Sequence, residues 1–276
     1  MLLGAWIDGE FTPESWVAKL KEKNYRAAFC PIGPEAPDDV VKEYEMAARK
    51  AGIVIAETGA WSNPLSDDEQ TRKAAINTCI AQLDLADRIG ARCCVNISGS
   101  RGAKWDGPDA RNLTDETFDM IVTTAREIID AVNPSRSYYT LEPMGWMYPN
   151  SADSYLRLIK AIDRKGFGVH FDPVNMVSGI DVYYHNAEMI TDFVQRLGPY
   201  IRSCHAKDIS LSDELTVHLG EVIPGEGALC YRTYLLELSS LPPEMPLLIE
   251  HLKGEAQFDR AAAHIRKVAA EVGVPL

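Results

Sequence analysis

The stretch YYTLEPMGWMYPN (residues 138–150), followed after one helical segment by GFGVHFDPVN (166–175), decides how this chain is read. It holds two short apolar runs, and each ends on a carboxylate: Leu141-Glu142-Pro143 and Phe171-Asp172-Pro173. The segment between them, Ser151 to Lys165, has helical character. Two strands joined by one helix must lie parallel in a sheet, because the chain has to cross back before it runs the same way again. Glu142 and Asp172 are therefore expected side by side at the same end of neighbouring strands.

Two later runs end in the same manner. Ile201-Arg202-Ser203-Cys204 leads to His205, and Pro246-Leu247-Leu248-Ile249 leads to Glu250. Working outward, the chain divides into eight strand-then-helix units. The strands are Leu2–Ile7, Arg26–Ile32, Ile53–Ala56, Ala91–Ile97, Ser137–Leu141, Phe167–Phe171, Ile201–Cys204 and Leu247–Ile249. They are continuous apolar runs, as expected of a parallel sheet covered on its outer face by helices. The last helix shows the complementary pattern, with Phe258, Ala261, Ala262, Ile265, Val268, Ala269 and Val272 on one face. Helix starts are expected at Thr12 with Pro13 behind it, at Ser66 with Glu69 completing a capping box, and at Asn150. Eight even units predict a single (β/α)8 TIM barrel over residues 1–276 rather than an open doubly wound sheet, since no Gly-rich turn follows the first strand.

Loop lengths point the same way. Links from helix to strand are short, whereas links from strand to helix are long at 98–113, 143–150, 173–185 and 206–229. Long loops in a compact domain usually carry function, and barrel enzymes keep their chemistry at the strand C-termini. The fourth long loop, with Glu221 and Glu226, reads as a lid or as solvated chain.

Composition sets bounds. The 276 residues are 46% hydrophobic and 25% charged, ordinary values for a globular protein, and the net charge of −12 comes with no Lys/Arg-rich run. That balance argues against a nucleic acid or an anionic membrane surface as partner, while leaving room for a phosphorylated small molecule. The six cysteines form no C-x-x-C pair and read as free thiols in a reducing compartment. With neither a basic leader nor a membrane-length apolar run, a cytoplasmic location is expected.

Glu142, Asp172, His205 and Glu250 thus end four consecutive staves on one rim. Three carboxylates cannot crowd together without a cation between them. A mostly oxygen donor set suits six-coordinate Mn²⁺, Mg²⁺, Co²⁺ or Fe²⁺ better than a structural zinc. Further candidates surround them. Lys207 shares the inward face with His205, where it can reach a substrate oxygen, stabilise negative charge, or form a rim salt bridge. His170 lies one layer below Asp172, where a supporting hydrogen-bonded role suits it best. Asn175 follows Asp172 closely, and Glu57 and Trp61 follow the third strand, where a carboxylate and an aromatic ring can receive a sugar or equally fill ordinary core and rim roles. His251 is expected to pack outward. Ser98-Gly99-Ser100-Arg101 and Lys253-Gly254 offer backbone N–H groups to an anion but form no specific motif.

The runs LEPM, HFDPVN, CHAKD, IEHL and VIPGEG resemble those of the sugar phosphate isomerase/epimerase superfamily. This is the xylose-isomerase-like barrel group that includes ketose 3-epimerases, inosose isomerases and dehydratases, and apurinic-site endonucleases. The resemblance spans nearly the whole chain. It implies Glu142, Asp172, His205 and Glu250 as ligands of a divalent ion, Mn²⁺ first, with Glu142 and Glu250 also moving the proton. The implied reaction is isomerisation or epimerisation of a sugar, polyol or keto-sugar, by proton abstraction beside a metal-bound carbonyl to give an enediolate. A lyase or dehydratase acting on a keto-sugar or inosose begins with the same step and is the alternative. Six histidines and the acidic charge count against an endonuclease, and the intact ligand set counts against a non-catalytic sugar-binding barrel. Two departures, Asn175 where ketose 3-epimerases carry a histidine and Leu211 where they carry a basic residue, point away from a free ketose. Members of the group often pair through their barrels, so the resemblance leaves a homo-oligomer open.

Overall fold

The computed structural model describes residues 1–276. Eight strands close into a parallel barrel: β1 (Leu2–Ala5), β2 (Ala27–Phe29), β3 (Val54–Gly59), β4 (Cys93–Asn96), β5 (Tyr139–Leu141), β6 (Phe167–Phe171), β7 (Ile201–Ala206) and β10 (Pro246–Ile249). Between β7 and the last stave, β8 (Asp208–Leu211) and β9 (Leu219–Val222) form an antiparallel hairpin outside the barrel. The outer ring consists of α1 (Pro13–Glu22), α2 (Asp38–Ala51), α3 (Glu69–Ile89), α4 (Asp115–Val132), α5 (Ala152–Ile162), α6 (Ile180–Tyr184), α7 (Asn186–Leu197), α8 (Tyr231–Leu238) and α9 (Gly254–Val272). The chain is a (β/α)8 TIM barrel, and no helix in it is long and apolar enough to cross a membrane.

Strand alternation divides the side chains between two environments. Outward residues such as Leu3, Val169, Phe171, Cys204, Leu247 and Ile249 join the helices in one continuous apolar core. Phe171 and Phe193 of α7 stack there at 4.2 Å between ring centroids. Inward residues Leu2, Ala27, Ala56 and Leu248 form a small separate apolar plug low in the barrel. Above that plug the inward positions turn polar, so the upper lumen is where charged side chains collect.

Several local expectations shift. The N-cap of α3 is Asp68, whose carboxylate accepts from the Thr71 N–H at 2.7 Å, and not Ser66. The α5 cap is Ser151, paired with Ser154, rather than Asn150. In both cases the residue that leaves the helix in extended geometry is the one with a side-chain oxygen over the N3 amide, and a neighbouring polar residue cannot substitute for it. All six cysteines are free, with Cys79, Cys93, Cys94 and Cys204 buried. The 206–229 segment is an ordered hairpin followed by a turn, not bare loop.

A larger departure concerns β3. It runs on to Gly59, so Glu57 lies inside the strand. Its pairing with β2 slips between Ala28 and Phe29, matching Ala28 to Ile55 and Phe29 to Glu57. Ala56 belongs to the inward plug, so strict alternation sends Glu57 outward. The bulge turns it into the lumen as well, as bulges near sites often do.

Candidate metal centre

Glu142, Asp172 and Glu250 each stand one residue beyond their strand, and His205 is the penultimate residue of β7. Parallel register brings these strand ends to one rim: Phe171 pairs with Cys204, which puts Asp172 beside His205, and Leu248 pairs with His205, two residues before Glu250. One ligand atom from each of the four residues lies within 4.8 Å of the others, and all four side chains are buried. His205 Nδ1 is 2.9 Å from Glu250 Oε1, 3.1 Å from Glu142 Oε1 and 3.7 Å from Asp172 Oδ2.

Lys207 enters the same group. Its ammonium is 2.6 Å from Glu250 Oε1, 2.8 Å from Asp172 Oδ2 and 3.5 Å from Glu142 Oε1, and the side chain is only 1% exposed. The ammonium thus stands where the three carboxylates converge and meets both Asp172 Oδ2 and Glu250 Oε1. Three buried carboxylates facing one point require positive charge there, which Lys207 supplies in this structure. The donor set is three carboxylates and one imidazole, which fits a hard divalent cation.

Beneath the rim lies a second layer. Glu57 is 1% exposed, and its oxygens are 3.0 Å from His205 Nε2 and 3.0 Å from His170 Nε2. The Ser203 hydroxyl donates to the same carboxylate at 2.7 Å. A carboxylate behind a ligand imidazole fixes which ring nitrogen faces forward and makes that nitrogen more basic. Glu57 therefore sits under His205 rather than open to a sugar, and His170 supports Glu57 from the side.

Asn175 stands beside the cluster. Its side-chain amide donates to Glu142 Oε1 at 3.1 Å, and its backbone N–H donates to Asp172 Oδ1 at 3.2 Å, next to the Val174 N–H at 2.9 Å. It thus orients two of the four clustered side chains. Trp61 lies apart: it is 44% exposed and faces Trp105 across a cleft of about 550 Å³ outside the carboxylate group.

Charge dictates protonation here. Burial opposes the charged form of His205, but Glu250, Glu57 and Glu142 outweigh it and hold the imidazole well above its usual value. Burial likewise works against the Lys207 ammonium, and Asp172, Glu142 and Glu250 more than offset it. In return, Asp172 is held far below the ordinary carboxylate range against its own burial, chiefly by Lys207, and Glu250 is lowered by His205 and Lys207. Glu57 is lowered against its burial by His205 and His170.

Two features of the site were missed at the sequence level. The first is Asp208, buried next to Lys207. Its carboxylate accepts four backbone N–H groups: Ile209 at 2.8 Å and Leu229 at 2.9 Å on one oxygen, Gly225 at 2.8 Å and Gly227 at 3.1 Å on the other. The VIPGEG run is thus wrapped around an acid. A Cβ on Gly227 would come within 2.3 Å of Asp208 Oδ1, so glycine is required there by close approach. The D that follows HAK and the two glycines of PGEG were the available signal. The second is a wall of rings, Phe29 against His205 at 6.2 Å and Trp6 against Phe29 at 5.9 Å between centroids.

Glu221, on β9, reaches His251 at 3.1 Å, and His251 Nε2 lies 3.6 Å from Glu250 Oε1. His251 does not pack outward on its strand; it stands beyond β10 with φ 59°, linking the hairpin to the rim. Glu226 pairs with Arg260. The Ser98–Arg101 segment is not an open anion loop, since Ser100 is buried and its backbone N–H donates to Asn63 Oδ1 at 3.0 Å. Lys253 caps α9 with its N–H on Gln257 Oε1 at 2.7 Å.

A family model of the xylose isomerase-like TIM barrel matches residues 16–268, and the chain belongs to that family. Among solved structures, the 3-keto-D-glucoside 4-epimerase YcjR from E. coli superposes with a TM-score of 0.69 at 16% identity, covering 96% of this chain and 98% of that one. The probable 3-DHS dehydratase AsbF from Bacillus anthracis gives 0.70 at 16% identity, with 97% and 98% covered. A xylose isomerase-like TIM barrel protein from Mycobacterium smegmatis in complex with magnesium gives 0.67 at 16% identity, with 98% and 96% covered. At these identities the likeness concerns the fold. No curated protein sequence matches the chain.

Proposed function

We propose that this protein is a divalent-metal-dependent isomerase or epimerase of a sugar, polyol or keto-sugar derivative. The observation that carries the reading is the convergence of Glu142, Asp172, His205 and Glu250 on one buried point. These four residues would hold the ion, with Mn²⁺ or Mg²⁺ the best matches to the donor set. When bound, such an ion acidifies the C–H between a chelated carbonyl and its neighbouring hydroxyl. Glu142 and Glu250 stand on staves separated by β6 and β7, so they approach the lumen from two sides. One carboxylate takes the proton from one face of the carbon, and the other, once protonated, returns a proton to the opposite face. Asn175 fixes the rotamer of Glu142, while the ring wall of Phe29 and Trp6 keeps water from one side of His205.

Lys207 favours a second reading on the same site, a lyase or dehydratase. An ammonium 2.6 Å from Glu250 Oε1 can hand a proton to a departing hydroxyl after the C–H proton has gone to a glutamate, so that water leaves with balanced charge. Exchange in deuterated water with ketoses and keto-sugars, followed by NMR and mass spectrometry, separates the two. Deuterium incorporation with retained mass formula supports the epimerase, and loss of water supports the lyase. Absence of both, in a protein that also fails to bind divalent metal, sinks the proposal.

A further inference from the structure

At the end of the barrel opposite the carboxylate cluster, a crevice of about 460 Å³ opens between the first residues of the strands and the C-terminal ends of α2 and α3. Four arginines line it, Arg26, Arg49, Arg92 and Arg136, against two acids, Glu45 and Glu244. Each acid is already engaged: Arg136 Nη1 lies 2.7 Å from Glu45, and Arg92 Nη2 lies 3.0 Å from Glu244. Arg136 is further fixed by donating through Nε to the Asp87 carbonyl at 2.8 Å. Arg26 and Arg49 form no ion pair and no side-chain hydrogen bond, unlike the two fixed arginines beside them.

The local balance is two uncompensated positive charges in a chain whose net charge is −12. Those charges stand over an aliphatic floor that includes Val54 and Ile55 of β3, in a concave space large enough for a small metabolite. Guanidinium groups are the side chains best matched to planar or tetrahedral oxyanions, which they bind through paired N–H donors. Arg92 and Arg136, held by their glutamates, are preorganised walls, and Arg26 and Arg49 are the free donors. We infer that this crevice is a second binding site, distinct from the metal centre, for a small oxyanion carrying two negative charges, a phosphate ester or a dicarboxylate.

The test uses the full chain with metal bound. Glycerol 3-phosphate and, separately, succinate are titrated calorimetrically at constant ionic strength into wild type, the Arg26→Gln/Arg49→Gln double variant, and Arg232→Gln as an exposed arginine elsewhere. The inference expects one-to-one saturable binding of at least one probe, weakened tenfold or more in the double variant and unchanged in Arg232→Gln. The probe that binds tells phosphate ester from dicarboxylate. Binding of neither probe, or binding that survives in the double variant, overturns it. Because the readout needs no turnover, it is independent of whether the proposed reaction is correct.

Discussion

His205 Nε2 lies 3.0 Å from Glu57 Oε1 although 148 residues separate them, while the opposite nitrogen of the same ring faces Glu142 and Glu250. One imidazole is therefore clamped between a buried supporting acid and the ligand cluster. The forward nitrogen is thus oriented by an acid that stands behind the ring, away from the four-residue cluster.

Glu57→Gln tests that dependence. The amide keeps the shape but removes the charge behind the ring. Metal affinity should fall roughly 10- to 100-fold with the fold intact, as measured by calorimetric titration of Mn²⁺ into chelator-treated protein. Unchanged affinity would show that Glu57 has no influence on the imidazole.

Protonation of the cluster predicts opposite pH responses for the metal-free and metal-loaded protein. The folded pKa of His205 is raised above the 6.5 of an unperturbed imidazole, so its stabilising contribution is complete below that value and lost as pH rises through the folded value. Asp172 and Glu250 are lowered, so theirs is present above the ordinary carboxylate range and lost as pH falls. Chelated protein should lose melting temperature on the alkaline side of neutrality. A cation held by the cluster would compete with the imidazole proton of His205, so metal affinity should rise with pH instead. Scanning melting temperature against pH, with and without Mn²⁺, checks this; parallel curves would contradict it.

Lys207→Met removes the ammonium that neutralises the cluster when no ion is bound. Breaking a buried pair in this way costs about 3 kcal/mol. That loss should appear in chelated protein and shrink when Mn²⁺ is added, because the ion replaces the missing charge. Equal destabilisation in both states would argue that Lys207 matters only for packing.

Asp208→Ala deletes the acceptor of four backbone N–H groups around the PGEG turn. Each unmet buried donor costs about 1 kcal/mol or more. Amide exchange at Gly225, Gly227 and Leu229 should accelerate well before that of β7. If those amides stay as protected as in wild type, the clamp is not what holds the turn.

Much of this was legible from the chain because it is written locally. Apolar runs set the staves, helical periodicity set the outer ring, and in a closed parallel barrel the C-terminal strand ends share one rim, so Glu142, Asp172, His205 and Glu250 could be placed together. Caps were harder, since Ser66 and Asp68, or Asn150 and Ser151, offer the same chemistry, and only the backbone dihedral at the first turn selects between them.

What the sequence by itself determined is the barrel and the three acids and one imidazole on its rim, because both follow from residue pattern and strand order. What only the tertiary structure decided is how that rim is supported. The bulge in β3 turned Glu57 inward, the lumen brought it to His170 and His205, and Asp208 drew a distant glycine turn around itself. Each of these depends on contacts that exist only once the barrel closes, when buried charges must find partners whatever their separation along the chain.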